Sequence, residues 1–305
     1  MDRRHALRLM GSSLVAPSVL RAAAAQDFAI RYVLSSALYG DLPLDEVLGE
    51  VARSGAEGID VWRKVHATHR EQIEAMGDEA FQALLTKHQS KLLVSTCYPL
   101  GPFRQDDEMR WVRKNGGVMT VCASGKMGEV DVSGAEAKVQ VTKFFEKLKP
   151  HYELAEELGL TMAIENHKNA MLSSPDSIRY FAELNPSKSV GIAFAPHHLH
   201  DAVEEIPALI RHCGKENLPF IYFQEYHPSS KEQMAKEDEL KQLPGFGSLD
   251  YTPILAALKE IGFGGLAEIF MHPTPRGIPM LPTAVEITDK VIESRAHIAR
   301  CLEKS

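Results

Sequence analysis

The chain has 305 residues, 44% of them hydrophobic and 25% charged, with a formal charge of −7 at neutral pH. That composition is globular, neither fibrous nor disordered. No run approaches the roughly 20 apolar residues that span a bilayer, and an acidic chain without a Lys/Arg stripe repels phosphate backbones, so no membrane span and no nucleic-acid partner is expected.

The first 25 residues read as an address rather than as fold. "MDRRHALRLMGSSLVAPSVLRAAAAQDF" opens with the pair Arg3-Arg4, continues into a short apolar run and ends in small residues, Ala22 to Ala25. That order is the pattern of a twin-arginine export signal, and predicts a periplasmic protein of residues 26–305. Removing Arg3, Arg4, Arg8 and Arg21 together with Asp2 takes the charge from −7 to −10.

Eight apolar or β-branched runs follow, at 29–35, 58–62, 91–96, 118–122, 161–165, 190–194, 220–224 and 265–269. Amphipathic segments separate them. "PLDEVLGEVARSG" puts Leu44, Val47, Leu48 and Val51 on one stripe and stops at Gly55. The long segment from Ala135 carries Pro150, read as a kink or restart. "SSPDSIRYFAEL" opens with capping chemistry, "DYTPILAALKEIGFGG" has Pro253 in its first turn, and a last helix is expected over 283–302. Strands alternating with helices imply a parallel sheet, and eight of them favour a single-domain α/β fold, the closed (β/α)8 TIM barrel. No G-x-G-x-x-G follows the first run, which removes the main support for a dinucleotide fold. Residues 225–250 form one long connection, expected to serve as a lid. Cys97, Cys122, Cys213 and Cys301 show no metal or disulfide spacing and are read as free thiols.

Active sites of such barrels sit at the C-terminal ends of the strands. There the sequence places Asp60 and Trp62, then Thr96 and Tyr98, then Glu165-Asn166-His167, then His197, His198 and His200, then Gln224 to His227, and finally Glu268 with His272. Glu165 ends "MAIE" and Glu268 ends "GLAE". An ionised carboxylate in an apolar run is costly unless it is paired or holds a metal. Two strands with the same feature point to a site, with a structural salt bridge as the alternative. Trp62 is read as a stacking surface for a ring, with a core aromatic as the alternative.

The motifs "GAEGIDVW", "LTMAIENH", "VGIAFAPHHL" and "LPGFGSLDYTPILAALKEIGFGGLAEIF" resemble those of the xylose isomerase-like TIM barrels, the sugar isomerase/epimerase group that includes endonuclease IV. The resemblance covers nearly all of residues 26–305. It implies a sugar isomerase or epimerase in which Glu165 and Glu268 move protons on opposite faces of a sugar, beside its carbonyl. It also implies one divalent metal ion (Mn, Mg, Co or Zn). Two family ligand positions have changed, to Ala195 and Gln224, which leaves Glu165, Gln224, Glu268 and His198 as candidate metal ligands. His167, His198, Trp62 and His227 are the candidate substrate contacts. The expected partner is a non-phosphorylated sugar or keto-sugar, and a homo-oligomeric state is left open. A dehydratase or lyase, and a non-catalytic sugar-binding barrel, are the competing readings.

Overall fold

The structure is a computed structural model that describes residues 28–305. The export signal expected over residues 1–25 lies outside the described residues.

Eight parallel strands close into a barrel in sequence order. They are β1 (Arg31–Ser35), β2 (Ile59–Trp62), β3 (Leu92–Thr96), β4 (Met119–Ala123), β5 (Thr161–Glu165), β6 (Val190–Phe194), β7 (Phe220–Phe223) and β8 (Leu266–Ile269). Each falls on one of the eight runs, and β5 and β6 match theirs residue for residue. Their burial explains their legibility: β2, β6, β7 and β8 are buried at every position, as strands covered on both faces must be.

The outer layer holds α1 (Leu44–Ser54), α2 (His69–Met76), α3 (Asp78–Lys87), α4 (Asp106–Lys114), α5 (Gly134–Leu158), α6 (Pro175–Leu184), α7 (Ile206–Asn217), a short α8 (Lys236–Glu239), α9 (Thr252–Glu260) and α10 (Ala284–Leu302). Among the described residues no helix is long and apolar enough to cross a membrane. α1 buries the stripe expected of it and ends at Gly55 in a left-handed conformation. Reciprocal capping boxes start α6 at Ser174 and α10 at Thr283.

Pro150 neither stops nor restarts α5, which runs unbroken for 25 residues. The proline lies exposed, so its missing N–H falls on the solvent side while Phe144, Phe145, Leu148, Leu154 and Ala155 keep the buried face intact.

The connection at 225–250 is built rather than loose. Gln242 is fully buried and ties three residues together through four hydrogen bonds: it accepts from the His272 N–H (3.0 Å) and from Gln224 Nε2 (3.1 Å), and donates to the His272 carbonyl (2.9 Å) and to Ser229 Oγ (3.2 Å). Glu225 accepts from the Leu249 N–H at 2.8 Å. Gly247 must be glycine, because a Cβ there would lie 2.1 Å from Glu225 Oε2 and 2.4 Å from the Lys241 carbonyl. Residues 231–235 are left exposed as the tip of the segment. All four cysteines are unpaired and buried.

Candidate active site

The strand ends form an acidic floor. Asp60 at the end of β2 and Glu268 in β8 flank β1, whose Ser35 pairs with Asp60 and whose Val33 pairs with Glu268. In a closed ring of eight, β1 lies diametrically opposite β5, which ends in Glu165. Glu165 therefore faces an Asp60–Glu268 pair across the barrel interior. Glu165 is 3% exposed, and Asp60 and Glu268 are not exposed at all. No described lysine or arginine pairs with any of them.

That burial sets their protonation. It pushes the Glu165 carboxyl up to about 8, partly offset by a hydrogen bond from the Tyr98 hydroxyl. Burial also raises Asp60 and Glu268, and each is within hydrogen-bonding reach of the other. Two like charges so close in a dry site cannot both ionise, so the pair holds a proton. Thr96 Oγ1 donates to Asp60 Oδ2 at 2.6 Å. Tyr222 in β7 is fully buried on the other side, with a hydroxyl that has no partner.

Above the floor lies an aromatic layer. Trp62 stacks on Phe270 with ring centroids 4.8 Å apart, and Tyr98 meets Trp62 at 5.4 Å. Above that, histidines gather at the mouth. The ring of His198 is 3.9 Å from those of both His167 and His197, and His66 is 5.3 Å from His272. A cavity of about 120 Å³ opens beside them, with Lys168, Lys231 and Arg276 in its wall. Burial lowers the imidazoles, His66 to about 4, so at neutral pH they are uncharged donors and acceptors.

Of the sequence-predicted residues, Glu165, His167 and His198 are brought together. His198 Nε2 lies 3.7 Å from Glu165 Oε1, and one ligand atom from each of the three falls within 4.8 Å of the others. Glu268 lies outside that cluster, because β8 delivers it to Asp60 instead. Gln224 is drawn aside by Gln242, although its Oε1 remains buried without a partner. Trp62 is fully buried, with Phe270 stacked on one face. His227 serves its own loop through one ring nitrogen. Its Nδ1 accepts from the Ser229 N–H at 3.3 Å and caps a turn of 3-10 helix at Pro228–Ser230. Asn166, between the two functional residues of its motif, stitches β5 to β6. It accepts from the Ala195 N–H (2.7 Å) and donates to the Ala195 carbonyl (3.0 Å).

The donor set suits a divalent cation. His167 Nδ1 is 2.6 Å from the Lys168 carbonyl; donation there leaves the Nε2 lone pair free. His198 Nε2 is buried without a hydrogen-bond partner. Two imidazoles and a carboxylate favour a borderline ion such as zinc, cobalt or manganese over magnesium.

Fold and floor together define a (β/α)8 barrel with a cluster of buried carboxyls at the C-terminal ends of its strands. The sequence profile of the xylose isomerase-like TIM barrel matches residues 48–286, and the chain belongs to that family. No curated protein sequence matches it. Among solved structures it is similar to the IolI protein with a bound zinc atom, at 15% identity and a TM-score of 0.69 over 90% of this chain and 99% of that one. It is similar to D-psicose 3-epimerase in the presence of D-fructose, at 13% identity and a TM-score of 0.66 over 90% and 99%. It is also similar to the 3-keto-D-glucoside 4-epimerase YcjR from E. coli, at 13% and 0.63 over 88% and 100%. At such identities the likeness is one of fold.

Proposed function

We propose that the protein is a sugar isomerase or epimerase that abstracts a proton beside a carbonyl of a non-phosphorylated sugar or keto-sugar. The observation that carries this reading is the placement of Glu165 opposite the proton-holding Asp60–Glu268 pair, with no cation neutralising either side. Proton transfer between two faces of a flat intermediate needs a base on one face and an acid on the other. Glu165, once ionised, takes the C–H proton. The Asp60–Glu268 pair returns a proton from the opposite side. The Tyr98 hydroxyl, already donating to Glu165, holds that carboxylate in position, and Tyr222 offers a second neutral donor. His167 and His198 bind substrate hydroxyls or, with Glu165, hold a divalent ion. Such an ion, when bound, would supply polarisation of the carbonyl. The sugar epimerases among the structural neighbours support the same class of chemistry.

The test is proton exchange. A panel of ketoses and keto-glycosides incubated in D2O is expected to incorporate deuterium at one carbon, read by NMR. Glu165→Gln and Glu268→Gln are each expected to slow exchange by about 10²–10⁴-fold. A new diastereomer identifies an epimerase; loss of water identifies a lyase acting through the same intermediate. Exchange that survives both substitutions would sink the assignment.

We also propose that residues 1–25 direct export. Replacing Arg3 and Arg4 by lysine is expected to leave uncleaved precursor in the cytoplasm, seen by fractionation.

A further inference from the structure

The mouth and the floor of this site carry opposite charge. Arg276, on the loop after β8, makes two side-chain hydrogen bonds: Nη1 donates to the Pro273 carbonyl (3.2 Å) and Nη2 to the Ser230 carbonyl (2.7 Å). Both acceptors are neutral. Among the described residues no carboxylate pairs with Arg276, or with Lys231 beside it. Arg276 is half-buried, which lowers its guanidinium to about 10, still a full positive charge at neutral pH. Its field reaches His66, His167, His197 and His272, and that of Lys231 reaches His167 and His198. Lys168, across the cavity, is already paired with Asp201 at 2.6 Å.

A half-buried guanidinium without an anion is costly unless one arrives with a ligand. Arginine has five N–H donors in a planar fork, and two are spoken for. The remaining three match the flat, two-oxygen edge of a carboxylate, and the cavity, at about 120 Å³, is small.

We propose that Arg276 and Lys231 form an anion subsite and that the substrate is a sugar acid, its carboxylate held at the mouth while the carbon beside its carbonyl reaches the floor. The inference rests on the carbohydrate reading above and names the substrate class within it. Positive charge at the rim of a cleft also draws an anionic ligand toward a chain that otherwise repels it.

The test is binding by calorimetry, with D-glucuronate, D-glucose and D-glucose 6-phosphate as probes. Wild-type protein is expected to bind glucuronate at least about tenfold more tightly than glucose, the scale of a charge-assisted pair. Arg276→Gln is expected to bring the two within about twofold, and Arg276→Lys to restore part of the preference. Lys231 is exposed and its side chain makes no hydrogen bond, so Lys231→Gln leaves the fold intact and is expected to weaken the preference by a smaller factor. Arg276 also fastens two loops, so a purely structural role predicts that all three probes weaken together in Arg276→Gln. That outcome overturns the subsite, as does equal binding of glucuronate and glucose, no binding of glucuronate, or a preference for the phosphate alone. Charge preference without deuterium exchange on any sugar sinks the catalytic reading and leaves the subsite standing. Exchange on neutral ketoses without charge preference does the reverse.

Discussion

Glu165 shows how one buried carboxyl couples function to stability. In the protein free of metal it ionises near 8, whereas an unfolded glutamate ionises near 4.3. Between those values the native state holds a proton that the unfolded chain has released. Stability therefore falls as pH rises through that window, by up to about 1.4 kcal/mol per pH unit for a single group. Glu165→Gln removes the titration. Denaturant melts of chelator-treated protein at pH 5 and pH 8 are expected to show the variant losing less stability across the interval than the wild type. Equal losses would mean that Glu165 is ionised in the native protein. The residues missed in the sequence are equally instructive. Glu165 and Glu268 were legible because each interrupts an apolar run. Asp60 sits in such a run too, but its partnership with Glu268 depends on β2 and β8 both flanking β1 once the barrel closes, which no local pattern encodes. Arg276 lies in a polar loop where an unpaired arginine looks like any other. The surroundings of Trp62 and His227, cover by Phe270 and service in a turn, were not legible because spacing alone does not tell exposure at a strand end from either.

Elements were more legible than residues. The strands announced themselves because burial on both faces demands unbroken apolar runs, and the helix ends because Ser174, Thr283 and Gly55 carry specific terminal chemistry. Pro150 was misjudged because a helix survives a missing bond when the defect faces solvent. Two predictions belong here. Pro150→Ala removes an unfavourable residue from an exposed helix interior without disturbing packing, and is expected to stabilise the protein by about 1–3 kcal/mol in urea melts. Gly247→Ala, by contrast, sets a methyl group against Glu225 and the Lys241 carbonyl. It is expected to lower the melting temperature and to increase proteolysis between 225 and 250, because Glu225 is one of the clasps on that segment.

At the scale of the molecule, an ion held by Glu165, His167 and His198 would link the site to the whole fold. A cation that binds the native state alone stabilises it by mass action, by about 2.7 kcal/mol at a hundredfold excess over its dissociation constant. Zinc or manganese added to chelated protein is expected to raise the thermal midpoint by several degrees, and the double substitution His167→Ala and His198→Ala to abolish the rise. An undiminished rise in that variant would place the ion elsewhere. Barrel closure is what lets so few side chains act together: residues from β2, β5, β7 and β8, more than two hundred positions apart in the chain, share one interior.

That interior is sealed. The Trp62–Phe270 stack roofs the carboxylates, and Gln242, Arg276 and Thr274 lash the loops beyond β7 and β8 to each other. The loops beyond β7 and β8 are thus fastened to one another as a single panel, while Phe270 itself is tied through its N–H to the Phe223 carbonyl at 3.2 Å. Ligand capture that waits for this panel to open is expected to show, in stopped-flow mixing, an observed rate that saturates at high ligand concentration; a rate that keeps climbing would mean the acids are reached without it.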